Sequence, residues 1–156
     1  MSEQKKIEDV FKDVLTGEIL NSALNFAEFL SANEMVHVPE KHEIRYKDER
    51  ICYIDMFKDR NTWSVWTEGD YSNECEGFRI DEQTKEIAWK HANKCGHCDG
   101  QDCSPGVSKI IFGKEFANIC NGAYVDIKFD NPDTEALTGL KKLLEMKKYI
   151  IDKTTV

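Results

Sequence analysis

The sequence predicts an α+β fold, an antiparallel β-sheet built from a meander plus later strands and covered by about four α-helices. Three observations predict it. Apolar residues recur at helical spacing near both ends, they alternate with period two in the middle, and no internal repeat, low-complexity tract or long linker divides the chain. A chain of 156 residues typically buries roughly 70% of its unfolded surface, which is enough for one core. Residues 1–156 are therefore expected to form a single domain.

Ile7, Val10, Phe11, Val14 and Leu15 mark a first amphipathic helix, and Gly17 follows as a stop or kink. A second helix is expected over about residues 18–33, where Leu20, Ala23, Leu24, Phe26, Ala27, Phe29 and Leu30 make a wide apolar face. From His42 the period becomes two. Ile44 and Tyr46 alternate with charges, Lys47 to Arg50 turn the chain, and Ile51 to Phe57 return as a stronger strand. Thr62 to Trp66 can pair with that strand, because aromatic and β-branched residues pack well on a pleated surface. Asp81 is the expected N-cap of a third helix running to about Asn93, with Glu82 in its first turn and Lys90 and His91 in its last.

Beyond the cysteines that follow, Val107 to Phe112 reads as a short strand ending at Gly113, and Asn121-Gly122 as a tight turn. Ala123 to Phe129 alternates as a half-buried strand. Asn131 and Pro132 are read as N-cap and N1 of a last helix, whose Leu137, Leu140, Leu143, Leu144, Ile150 and Ile151 form the buried stripe.

Charge narrows the function classes. Twenty-one basic against 29 acidic side chains give a net charge of -8, which repels phosphate polyanions and anionic membrane surfaces. Nucleic acid and membrane are accordingly not expected as partners, leaving a small molecule or another protein. Apolar runs are only a few residues long and Met1 to Lys6 carry no apolar signal core, so the expected location is the cytoplasm.

In a reducing compartment clustered cysteines bind metal or do chemistry more often than they form a disulfide framework. Between His91 and Cys103 five soft or borderline ligands fall within thirteen residues: His91, Cys95, His97, Cys98 and Cys103. Zinc takes four thiolate or imidazole ligands in a tetrahedron, and a Cys-x-x-Cys turn sets two sulfurs on one side of the ion. Cys95 and Cys98 form that pair and Cys103 is the third candidate. The fourth is either His91, one helical turn earlier, or Cys120, which precedes the Asn121-Gly122 turn. His97 lies inside the Cys-x-x-Cys turn and is the weaker candidate.

Cys95-Gly96-His97-Cys98 resembles the active-site motif of protein disulfide isomerases, and that four-residue resemblance implies thiol–disulfide exchange between Cys95 and Cys98. In that family the first cysteine opens a helix, whose positive end lowers the thiol pKa. Here Cys95 follows the carboxyl end of a predicted helix, and Asp99 and Asp102 oppose a thiolate further. The same negative surroundings favour a bound cation.

A third expectation is an aromatic ligand pocket on the sheet, lined by Tyr53, Trp63 and Trp66, with Phe57 on the same side as Tyr53. The bland alternative for these rings is core packing. Glu68, Asp70, Glu74 and Glu76 around Cys75 read as a solvated acidic loop. Gly113-Lys114-Glu115 lacks both the spacing and the hydroxyl of a phosphate loop, and Lys141, Lys142, Lys147 and Lys148 read as a solubilising patch.

Longer stretches of the carboxyl half, Glu86 to His91, Ile111 to Cys120 and Phe129 to Leu137, resemble a family of small uncharacterised bacterial proteins. Arg45-Tyr46-Lys47 and Ile51 to Ile54 fit the same resemblance less specifically. It implies a cytosolic, stand-alone domain, and no activity, substrate or catalytic residue comes with it. The sequence therefore points first to an intracellular binding domain with a Cys/His zinc site, second to a thiol redox enzyme or sensor, and third to a small-molecule effector-binding domain.

Overall fold

Alternating burial along the central strands is what gathers the helices onto one side. A computed structural model describes residues 6–68, 77–92, 107–119 and 125–154. Helices α1 (Ile7–Val14) and α2 (Gly17–Ala32) lead into strands β1 (Val36–Val38), β2 (Glu43–Tyr46), β3 (Glu49–Phe57) and β4 (Thr62–Glu68). After α3 (Glu82–Lys90) come β5 (Val107–Ile111), β6 (Lys114–Ile119), β7 (Val125–Asp130) and a long α4 (Thr134–Thr154). The main sheet has the order β1-β2-β3-β4-β7, antiparallel throughout, and β5 and β6 pair separately. The expected α+β class, with helices on an antiparallel meander and a later strand, is the observed one.

Trp63, Val65 and Thr67 on β4, Ile54 on β3 and Ile127 and Phe129 on β7 are all closed to solvent. The apolar ones among them meet Phe11 of α1, Phe26, Ala27 and Leu30 of α2, and Leu140, Leu143 and Leu144 of α4 in one cluster. Phe11 meets the Trp63 ring edge-on at 5.5 Å and Phe26 lies 5.4 Å from it on a tilt. A bulge where Ile44 and Arg45 of β2 face β3 inserts one residue, so the consecutive Ile51 and Cys52 are both buried. Lys47 and Asp48 both take positive φ (50° and 66°), the geometry of a two-residue hairpin turn matched to strand twist.

Of the two roles expected of Gly17, the kink is the observed one: with φ +64° it opens α2 two residues after Leu15. The boundaries depart from expectation at three places. α3 stops at Lys90 instead of about Asn93. The strand expected to end at Gly113 turns through Phe112 and Gly113, both at positive φ, and returns as β6. Asn131 is not the cap of α4. Its φ is +43°, its side-chain oxygen accepts the Trp63 backbone N–H at 2.9 Å, and Asp133 instead accepts from the Ala136 N–H at 2.8 Å. The edge strand β1 carried no period long enough to read.

No helix among the described residues is long and apolar enough to cross a membrane.

Candidate functional site

The chain enters the cysteine-rich segment from a firmly anchored point. Asp81 caps α3 by accepting the Thr84 N–H at 2.7 Å, and the Thr84 hydroxyl, followed by that N–H, holds its carboxyl below the usual carboxylate range. Ile87 and Ala88 bury the inner face of the helix, and Trp89 donates its indole N–H to the Ile111 carbonyl at 2.7 Å, tying α3 to the β5–β6 hairpin. His91 ends the helix. Its carbonyl accepts the Lys128 N–H at 2.9 Å, and Ala92 bridges Ile127, so both residues are stitched onto β7.

The His91 ring is fixed twice. It stacks on the buried Phe129 ring with centroids 4.5 Å apart, and its Nδ1 lies 2.8 Å from the Ile87 carbonyl oxygen. A carbonyl only accepts, so Nδ1 carries the proton, and in the neutral ring Nε2 keeps its lone pair. Such a backbone acceptor behind one imidazole nitrogen is the usual way a protein presents the other to a metal. Beside the ring opens a recess of about 200 Å³, where Asp130, Asp133 and Glu135 outnumber Lys90. Asp130 is already paired with Lys128 at 3.7 Å and Asp133 accepts the Ala136 N–H, which leaves the recess only mildly negative.

Of the five expected metal ligands, the structure places His91. Cys95, Cys98, Cys103 and Cys120 lie outside the described residues, as does the acidic segment around Cys75. Among the described residues no group of three or more His, Cys, Asp or Glu side chains is arranged to hold a metal ion. Cys52 belongs to the core. Burial pushes its thiol up to about 12 against a smaller opposing pull from Lys147, leaving it neither nucleophile nor ligand.

The three rings expected to line a ligand pocket do not share a wall. Register sets Tyr53 directly opposite Trp66, whereas Trp63 projects the other way and is 0% exposed between Phe11 and Phe26. Among the described residues its indole N–H has no partner, which costs about 1–3 kcal/mol for a buried donor and marks Trp63 as a packing residue. Tyr53 and Trp66 remain on the outer face, capped by Arg50 at 4.6 Å and Lys128 at 5.3 Å from their ring centroids.

Sequence reasoning missed Glu43, buried beside that pair. Burial alone would raise its carboxyl, but hydrogen bonds from Arg45 at 2.9 Å and Arg50 at 3.2 Å outweigh this and hold it below its ordinary value. The alternation of charges in β2 hid it, because a buried carboxylate and a solvated one look alike in a strand of period two. Ile87 was missed too, although its i−4 spacing from His91 is the available signal.

No protein-family model matches the chain, and neither a curated protein nor a solved structure does.

Proposed function

We propose that this chain is a non-enzymatic, cytoplasmic binding domain whose cysteine-rich segment holds a zinc ion through Cys95, Cys98, Cys103 and the Nε2 of His91. The observation that carries the reading is the Nδ1–H···O=C hydrogen bond to Ile87 behind the His91 ring. It supplies in advance the tautomer and orientation that a zinc-bound imidazole needs. Ligand density supports the other three positions, since Cys95 and Cys98 have the spacing of a metal-binding turn and Cys103 follows closely.

Electrostatics favour this over thiol–disulfide exchange. α3 ends at Lys90 with its negative pole at His91, four residues before Cys95 in the chain, and the recess beside His91 is lined by Asp130, Asp133 and Glu135. A thiolate is destabilised there, whereas a divalent cation gains. The protein would act by presenting the metal-stapled segment to its partner, a small molecule or another protein.

The test is the metal content of protein made in zinc-supplemented medium under reducing conditions. The reading expects about one zinc per chain in the wild type and loss of that zinc in Cys98→Ser. His91→Gln should weaken zinc at least about tenfold while Cys120→Ser leaves it unchanged. Wild-type protein carrying well under one equivalent of any transition metal defeats the reading.

A further inference from the structure

A groove of about 340 Å³ runs beside β1, between the start of α1 and the last turns of α2. Its floor is apolar, formed by Ile7, Ala27, Leu30 and Met35, and Lys6 and Glu8 stand at its rim. β1 is also an outer strand of the sheet. It pairs with β2 on one side, and among the described residues no strand pairs with the other. At the opposite end of the sheet, His91 and Ala92 are already bonded to β7. Among the described residues the edge at β1 is therefore left without a second strand, directly beside an apolar trough.

The two features fit one kind of occupant. Unpaired edge groups are satisfied by an extended backbone, and a strand added there sends alternate side chains to the helix side. On that side lies His37, whose cross-strand partner Ile44 is fully buried and which itself lines the groove. Val36, 56% exposed, also lines the groove and would be shielded by the same added strand. A second copy of the chain is a poor fit. Paired through its own β1 it would bring His37, not an apolar side chain, to the trough, and two chains of net charge -8 repel each other. The same charge steers a basic segment inward.

We propose that the open edge of β1 and its groove take up an extended, basic peptide segment of another protein, which adds a strand to the sheet and seats an apolar side chain between α1 and α2. The interaction is separate from the zinc reading, because the groove and His91 lie at opposite ends of the sheet.

The experiment uses the full chain and a fluorescein-labelled heptapeptide of alternating lysine and valine, followed by fluorescence polarisation. An alternating glutamate and valine heptapeptide is the control. Saturable binding of the basic probe is expected, with at least tenfold weaker binding of the acidic one. In Ser31→Trp, an exposed helix position that lines the groove, the indole fills the trough and affinity should fall at least tenfold with the circular dichroism spectrum unchanged. Amide shifts on titration should centre on Val36 to Val38. Absence of saturable binding, equal binding of the two probes, or undiminished binding by Ser31→Trp overturns the proposal. So does a concentration-dependent dimer that the probe cannot dissociate, or a tenfold gain in affinity on deleting residues 1–5, since each assigns the edge to this chain itself.

Discussion

Replacing Gly139 by alanine should destabilise the protein, although the same change in an ordinary helix does the reverse. Gly139 lies in the second turn of α4, on its buried face, where α3 packs against it. A Cβ built there falls 2.6 Å from Ile87 Cγ2 and 3.0 Å from both Ile87 Cβ and Cδ1. Removing a helical glycine gains about 1 kcal/mol. Against that, overpacking a core costs about 1–3 kcal/mol, and the upper end applies because Ile87 is β-branched and stiff at χ1. Turning the side chain cannot relieve a contact that includes Cβ, so the helices must part. The net expectation is about 2 kcal/mol of lost stability, read as a lower urea midpoint at unchanged slope, with tryptophan fluorescence as the probe. In an Ile87→Ala background the Cγ2 and Cδ1 contacts are gone and only the 3.0 Å approach to Cβ remains, so Gly139→Ala should cost clearly less there than in the wild type. A single variant as stable as the wild type, or more so, refutes the packing argument. The consequence reaches the site, because the Ile87 carbonyl is what holds the His91 ring.

Three further outcomes are expected. His37 titrates below its ordinary value, chiefly through burial and then through His42, with Glu40 opposing; the stability it contributes is complete above the unfolded value of about 6.5 and is lost as pH falls toward the folded one. His37→Gln should therefore flatten the fall in urea midpoint between pH 7.5 and 5, and an equal fall in both proteins removes the cause. Cys52 should resist a thiol-specific reagent in the native state and react only on unfolding, so that at most five of the six cysteines titrate at first; prompt reaction of all six contradicts its burial. Asn131→Gly tolerates the positive φ but removes the acceptor for the Trp63 N–H, and thermal unfolding should show a loss of about 1–2 kcal/mol, whereas an unchanged midpoint denies that bond a role.

Periodic elements were legible in the sequence because burial itself is periodic. The two amino-terminal helices, the β2–β3–β4 meander and the Asp81 cap all follow from side chains whose spacing matches one exposed and one buried side. Signals failed where a residue adopts a conformation that its type disfavours. Phe112 at φ +46° is a bulky side chain in the left-handed region, so the turn between β5 and β6 left only Gly113 as a trace. Asn131 looked like a cap and is instead a left-handed corner whose amide bonds to β4. The aromatic residues show a different limit. Trp63 and Trp66 are three apart and fall on opposite sides of a strand, a distinction fixed by period two but blurred when the rings are grouped as one wall. At the candidate site His91 was legible as a ligand type, while its restraint by Ile87 and Phe129 needed coordinates.

X-ray absorption at the zinc K-edge of the purified, reduced protein tests the account most directly. The prediction is a first shell of three sulfurs at about 2.3 Å and one nitrogen at about 2.0–2.1 Å, with the nitrogen lost in His91→Gln. An absent zinc signal, a shell of oxygens, or a nitrogen that survives His91→Gln contradicts it.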